Sequence, residues 1–192
     1  MAEIAGLQLS VNDSQGIERA VKLLAGIKGG AYKAIASAAK RAVISGRAAG
    51  AREVAKKYTL SIGTIKGNMT DQYRVVGHGS SVEANITFNS HHVTLLSFDT
   101  GLDGGKVAAR VKRESSRQQI ERGFFGGNGL ADGVWEREGP DRFPIRKLSG
   151  PAPTQAMKAN PDVSEAIAQK VRETFETRVD HEISAILNGW RT

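Results

Sequence analysis

The sequence predicts an α+β fold in which N-terminal helices and a C-terminal helix pack on a mostly antiparallel sheet of four to five strands. Three patterns predict it. Apolar residues recur at helical spacing from Ile167 to Trp190, and an alanine-rich stretch over 31–58 favours a long helix. The segment 82–88 alternates apolar and polar residues, as a strand with one wet face does. Helices and strands that fall in separate blocks are typical of the α+β class.

Local signals define the helices further. Asp13 and Ser14 are good N-caps for a first helix, and an Asn-Pro pair at 160–161 begins the last one. Gly46 and Gly50 lie within the alanine-rich helix, where they form a small-residue face. Such a face allows another backbone to approach closely, and packing within the domain is a better explanation than a dedicated dimer motif.

Strand patterns follow the long helix. The runs 72–77, 82–88 and 92–98 have short connections and predict an antiparallel meander. A second hairpin is expected from 134–137 and 143–148. Pro144 places the latter strand at an edge or a bulge, because proline has no N–H for a ladder hydrogen bond.

The segment 99–132 differs from its surroundings. It is rich in glycine, carries a basic polar stretch and shows little periodicity. We therefore expect it to form a long extended loop or arm of a single domain that spans residues 1–192, since long loops in compact domains are usually functional or disordered.

The charge is unevenly distributed. Lys and Arg number 27 against 20 Asp and Glu, for a net charge of +7. The segment 16–67 holds 11 basic and two acidic residues, whereas 160–192 holds four basic and six acidic ones. A cationic half of this kind favours nucleic acid or an acidic protein surface as a partner. The expected contact residues are Lys40, Arg41, Arg47, Arg52, Lys56, Lys57, Arg110, Lys112 and Arg113.

Chemical motifs are scarce. The chain has no Cys, which rules out disulfides and thiolate metal sites, and no nucleophile elbow, phosphate-binding loop or zinc-binding helix motif occurs. His91 and His92 are adjacent on a predicted strand, so their side chains would point to opposite faces and not converge on a metal. No apolar run approaches the length of a membrane span. We expect no cofactor, no membrane contact and no enzymatic activity; a metal-dependent nuclease is the least favoured hypothesis.

Three segments carry a resemblance to a known family. They are Gly123-Phe124-Phe125, the strand Val134–Arg137, and the run from Arg142 to Pro151. In this pattern a small-aromatic segment precedes a strand that ends in Arg, and a basic residue with "hydrophobic-Pro-Ile" leads to a Gly-Pro turn. The chain resembles the phage minor tail protein Z family and related tail-completion, or head–tail joining, proteins. The alanine-rich basic helix upstream agrees with that layout.

The resemblance implies a structural virion protein of a tailed bacteriophage, made in the host cytoplasm before assembly. Its expected state is a homo-oligomeric, hexameric ring at the head-proximal end of the tail. The implied partners are a tail terminator or tail tube protein, a head connector or stopper protein, and the phage DNA end. Expected subunit-interface residues are Phe124, Phe125, Trp135, Arg137, Phe143 and Pro144.

Some of those aromatic residues must instead belong to the core, with Trp135 and Phe143 the best candidates. The alternative hypothesis is a free cytoplasmic protein that binds DNA without sequence preference. It predicts duplex binding by the isolated monomer that weakens steeply with salt.

Overall fold

The computed structural model describes residues 4–10, 15–78, 81–127 and 129–190. It confirms the α+β class, with helices and antiparallel sheets both present and helix the larger part. Asp13 and Ser14, the predicted N-caps, lie outside the described residues. The helices are α1 (Gln15–Leu23), α2 (Gly30–Lys57), α3 (Ile62–Gly67), α4 (Pro153–Lys158) and α5 (Pro161–Leu187).

The strands form three small sheets within the described residues, where one sheet of four to five strands was predicted. The strand orders are β1-β3-β2, β4-β10-β9-β8 and β5-β6-β7. Their bounds are β1 (Ile4–Ser10), β2 (Met69–His78), β3 (Ser81–Ser90), β4 (Val93–Thr94), β5 (Asp99–Asp103), β6 (Lys106–Arg110), β7 (Gln118–Gln119), β8 (Gly123–Phe125), β9 (Val134–Arg137) and β10 (Ile145–Gly150).

Contacts within the chain group its residues into two compact units. Unit 1 consists mainly of the described residues in Ala51–Met69 and Ser90–Ala156, and unit 2 of those in Ala5–Gly50, Thr70–Asn89 and Met157–Thr192. Unit 1 therefore contains the second and third sheets, whereas unit 2 contains the first sheet and most of the helical residues. The assignment of both units to one domain stays a prediction.

Close packing in unit 2 explains the small residues of α2. A β-carbon added to Gly46 would lie 2.5 Å from Cγ2 of Val171 on α5 and 3.0 Å from Cζ of Phe88 on β3. One added to Gly50 would lie 2.7 Å from Cε of Met157. The helix is thus held between α5 and the sheet, and the interpretation of these glycines as packing residues is confirmed.

The apolar stripe of α5 is confirmed over most of its length. Ile167, Val171, Phe175, Val179 and Ile183 are buried, as the spacing predicts. The end of the stripe differs from the prediction, since the side chains at 187 and 190 are 54% and 76% exposed. The apolar spacing continues to residue 190, but the burial of the α5 face ends before residue 187.

The expected extended loop over 99–132 is wrong. Strands β5 and β6 form an antiparallel hairpin in register from Asp99↔Arg110 to Asp103↔Lys106, and β7 pairs with β6. The turn consists of Gly104 and Gly105, with φ of 58° and 80°. A two-residue hairpin turn requires positive φ, which glycine adopts without cost. The same glycines indicated flexibility when only the sequence was considered.

The third strand of the predicted meander is also largely wrong. Of the segment 92–98, only Val93 and Thr94 form a strand, and 95–97 forms a 3₁₀ turn. The short helix α4 was not predicted. It is anchored in unit 1 because the backbone N–H of Thr154 donates to Oγ of Ser90 at 3.0 Å, and the two buried hydroxyls lie 2.7 Å apart.

Candidate functional site

The second hairpin of the chain is confirmed and supplies the framework of the site. Strand β9 pairs with β10 from Arg137↔Ile145 to Val134↔Leu148, and β8 adds to the other side of β9 with Phe124 opposite Trp135. Because alternate residues of a strand share a face, this register places the side chains of Phe124, Trp135 and Arg137 on one face of the sheet.

Four of the six predicted interface residues line one concave surface. Phe124, Phe125, Arg137 and Phe143 come from three separate segments and surround a cavity of about 530 Å³. We call this surface the aromatic groove. Its remaining described lining residues are Gly126, Gly127, Gly129, Leu130, Arg142 and Ile145.

Each arginine of the aromatic groove lies against a phenyl ring. The guanidinium carbon of Arg137 is 4.6 Å from the ring centroid of Phe124, and that of Arg142 is 5.7 Å from the centroid of Phe143. Neither arginine forms an ion pair with a carboxylate in the described part of the chain, and no acidic residue lines the cavity there. A guanidinium on an aromatic face keeps its N–H edge available. The groove is therefore suited to an anionic group beside an apolar one.

Phe143 is not a core residue. Its side chain is 63% exposed, and that of Phe125 is 39% exposed. The expectation that Phe143 belongs to the core is therefore wrong. Pro144 follows it through a cis peptide bond and is also exposed. The aromatic groove thus presents apolar surface to solvent.

Trp135 supports the groove but does not line it. Its Nε1 donates to the backbone oxygen of Ala131 at 3.0 Å, and Nζ of Lys147 lies 6.0 Å from its ring centroid. A β-carbon on Gly126 would lie 2.9 Å from the same indole nitrogen. The indole therefore fixes the glycine-rich loop that forms one wall.

A second depression of about 500 Å³ adjoins the groove and shares Arg137. Its charge is mixed: Arg146 donates to Glu136 at 2.7 Å, and this hydrogen bond raises the pKa of Arg146 above its ordinary value. The other lining residues are Glu121, Arg122 and Glu138. Unlike the aromatic groove, this surface already balances its own charge.

Most of the nine predicted DNA-contact residues already have a partner. Lys40, Arg41 and Arg52 are exposed. The closest partnered atoms are 2.5 to 3.5 Å apart. The pairs are Arg47 with Asp71, Lys56 with Glu53, Arg110 with Asp99, Lys112 with Glu114, and Arg113 with the backbone oxygen of Ala55. Lys57 also has a partner. Six of the nine residues lie in unit 1, and the other three, Lys40, Arg41 and Arg47, lie in unit 2.

Two of these nine cations, Arg110 and Arg113, have structural roles that sequence reasoning missed. Arg110 and Arg117 both donate to the carboxylate of Asp99, and the hydrogen bond from Arg117 is the main reason that the pKa of Asp99 lies below its ordinary value. Arg113 closes the C-terminus of α2. Its backbone N–H donates to the carbonyl of Lys57, and its Nε to that of Ala55, both at 2.8 Å. The only hint in the sequence was the spacing of basic residues, which cannot identify a partner.

The two adjacent histidines lie between β3 and β4, not on a strand. Both are exposed, and Nδ1 of His92 is 3.1 Å from the backbone oxygen of Gly150. Within the described ranges, no three or more His, Asp or Glu side chains are grouped so that they could hold a metal ion. None of the helices in that part of the chain is long and apolar enough to cross a membrane.

The fold and the groove thus define an α+β protein with a concave aromatic and cationic surface. Comparisons with protein-family models, curated proteins and solved structures give no significant match.

Proposed function

We propose that the chain is a tail-completion subunit of a tailed bacteriophage, which forms a ring at the head-proximal end of the tail and joins the tail to the head connector. The proposal starts from the resemblance of residues 123–151 to minor tail protein Z. Its partners are further copies of the chain, a tail tube or terminator protein on one side and a connector or stopper protein on the other.

The aromatic groove is the observation that supports the proposal most. Phe124, Arg137 and Phe143 belong to the three segments that carry the resemblance, and they are brought together on an exposed concave surface. Protein interfaces are enriched in aromatic residues and arginine at their centres. A groove of this composition is therefore suited to subunit contact.

The ends of the unit 1 sheets support it as well. Three of the four terminal strands, β4, β7 and β8, have two, two and three residues, and the fourth, β5, has five. Short edge strands limit uncontrolled pairing between sheets, while a closed ring can cover the remaining edges. Such edges are compatible with assembly in a defined geometry.

The experiment is reconstitution with tail tubes. Purified chain is mixed with tubes assembled from the tube protein of the same phage, and the products are examined by sedimentation and negative-stain electron microscopy. We expect co-sedimentation and extra density at one end of each tube. A chain that never joins tubes, or that coats them along their length, would contradict the proposal.

The DNA-binding alternative gives a different result in a parallel measurement. It requires the isolated chain to bind duplex DNA at near-physiological salt, with an affinity that falls steeply as salt rises. Tube binding without such DNA binding favours the tail-completion role. Salt-sensitive DNA binding without tube binding favours the alternative.

A further inference from the structure

The tip of the β5–β6 hairpin is chemically complementary to the aromatic groove. Leu102 is 64% exposed, and Asp103 beside it is also exposed. The carboxylate of Asp103 forms no ion pair among the described residues, and Gln119 donates to its backbone oxygen instead. We call Leu102 and Asp103 the hairpin tip. It offers an exposed apolar side chain and an exposed carboxylate that Arg117 attracts without forming an ion pair with it.

We propose that the hairpin tip of one copy of the chain inserts into the aromatic groove of a second copy. The inference rests on the proposed function, because it specifies how neighbouring subunits of the ring would bind each other. Both surfaces belong to unit 1, so the contact requires nothing from unit 2.

The side chains match in chemistry. Leu102 and Asp103 are neighbours in β5, so their side chains point to opposite faces of the hairpin, and the tip would enter the groove edge-on. Leu102 would cover the exposed rings of Phe125 and Phe143, while Asp103 on the other face would accept hydrogen bonds from the guanidinium groups of Arg137 and Arg142. Charge-assisted hydrogen bonds between Arg and a carboxylate are strong and directional. In the separate copies, the side chain of Leu102 and the rings of Phe125 and Phe143 are exposed to water, and the contact would cover them.

The shapes also agree. The hairpin tip lies next to the two-residue turn Gly104–Gly105, which joins strands that lie roughly 5 Å apart, and a cavity of about 530 Å³ has room for this end of the hairpin. Three glycines, at 126, 127 and 129, form part of the wall. Because they lack side chains, an inserted backbone can approach the loop closely.

Nucleic acid is a poorer occupant of the same groove. The adjoining depression adds no net positive charge for a phosphate backbone, because its three arginines are balanced by Glu121, Glu136 and Glu138. The groove itself supplies only two arginines. A short segment with a single carboxylate meets this distribution of charge better than a polyanion does.

The contact would join different surfaces of the two copies. Each bound pair keeps one free tip and one free groove, so that further copies add head to tail. Such heterologous contacts produce a closed ring when the rotation between subunits closes, and a filament when it does not. This property gives the proposal a specific test.

The test mixes two variants that lack opposite halves of the contact. The tip variant is Asp103→Arg, and the groove variant combines Arg142→Ala with Phe143→Ala, so that the mutated tip and the mutated groove carry no opposite charges that could pair. All three side chains are exposed, so both variants are expected to fold, as far-UV circular dichroism and melting temperature would verify. Ile62→Ala, which truncates another exposed apolar side chain of unit 1 (42% exposed), is the matched control for Phe143→Ala. Arg137→Ala is a second groove variant.

Analytical ultracentrifugation would measure the masses. We expect wild type and control to form oligomers larger than a dimer. Each variant alone should be monomeric, with self-association weakened at least about tenfold. An equimolar mixture should stop at a dimer, twice the chain mass of 20.5 kDa, because only one intact tip and one intact groove remain per pair.

Several outcomes would overturn the contact. They are wild-type protein that stays monomeric at the highest concentration at which it dissolves, variants that assemble like wild type, and a mixture that stays monomeric or grows beyond a dimer. A single-stranded oligonucleotide that binds wild type but not the groove variant, with self-association unchanged in both, would assign the groove to nucleic acid instead.

The result is separable from that of the proposed function. If wild type joins tail tubes and the tip and groove variants still form rings there, the contact is wrong and the tail-completion role stands. If copies associate through tip and groove but never bind tubes, the contact stands and the role is wrong.

Discussion

Asp99 organises the hairpin that carries the tip. Its carboxylate accepts hydrogen bonds from Arg110 and Arg117, and its backbone N–H donates to Oγ1 of Thr59 at 3.1 Å. The side chain of Asp99 is 24% exposed. One residue thus ties β5 to β6, to the segment before β7 and to the chain after α2.

This arrangement predicts how stability depends on pH. The hydrogen bond from Arg117 lowers the pKa of Asp99 below its ordinary value of 3.8. A carboxyl with a depressed pKa in the folded state contributes stability above the unfolded pKa, and loses it as pH falls through the folded pKa. Asp99→Asn should therefore lower the melting temperature at pH 6, and the difference from wild type should shrink below about pH 4.

Asp141→Asn is the matched control, because Asp141 is exposed and forms no ion pair within the described residues. Thermal unfolding of the three proteins between pH 2.5 and pH 7 would check the prediction. A difference between Asp99→Asn and wild type that stays constant across this range would contradict it.

At the scale of elements, α2 depends on its glycines for packing. Alanine in place of glycine normally favours a helix by roughly 1 kcal/mol. At Gly46 the added methyl would meet Val171 at 2.5 Å and Phe88 at 3.0 Å, and both side chains are fully buried. Because overpacking of a core costs about 1–3 kcal/mol, we expect Gly46→Ala to reduce the free energy of unfolding.

Gly67→Ala provides the comparison. A β-carbon at this last residue of α3 would contact nothing within 4 Å. We expect that variant to be neutral or slightly more stable in urea unfolding. An equal stabilisation by Gly46→Ala and Gly67→Ala would show that α2 has more room than its contacts indicate.

The C-terminus of α2 leads to a prediction about Arg113. Carbonyls in the last turn of a helix lack partners within the helix. Arg113 donates hydrogen bonds to two of them, those of Ala55 and Lys57. Arg113→Ala removes the side-chain hydrogen bond and keeps the backbone one. We expect a loss of about 0.5–1 kcal/mol in the free energy of unfolding, measured with urea.

The same variant separates a structural role from a DNA-binding one. Arg52→Ala removes an exposed cation of α2 in the same unit and should leave stability within about 0.5 kcal/mol of wild type. If Arg113→Ala weakened DNA binding more than Arg52→Ala while stability stayed unchanged, Arg113 would be a DNA contact and not a helix cap.

For the whole molecule, the dissociation constant between copies should depend on salt more than for a purely apolar contact and less than for a purely ionic one. The proposed contact combines one carboxylate and two guanidinium groups with exposed apolar surface. Screening shortens the Debye length from about 10 Å at 0.1 M to 3 Å at 1 M salt. We expect the dissociation constant between copies to rise several-fold over this range, without loss of association, because apolar contacts persist. Sedimentation in increasing NaCl would measure it; association that strengthens throughout would argue for a purely apolar interface.

Comparison of sequence and structure separates two kinds of information. Elements with a strong local pattern were predictable: the alternation over 82–88 lies within β3, the stripe from Ile167 to Ile183 is the buried face of α5, and β9 pairs with β10. The segment 99–132 was not, because a two-glycine turn and a flexible loop have the same composition. Its strands are held by Asp99, whose partners are 11 and 18 residues away.

The sequence alone determined the α+β class, the helices α1, α2 and α5, and the hairpin that carries the resemblance, because hydrophobic periodicity and turn residues act over a few positions. It also indicated four of the residues that line the groove, Phe124, Phe125, Arg137 and Phe143. Only the tertiary structure decided that Phe124, Arg137, Arg142 and Phe143 meet in one groove and that Leu102 projects from a hairpin tip. These spatial arrangements depend on strand register and on pairing between segments that are distant in the sequence, and no local pattern encodes either.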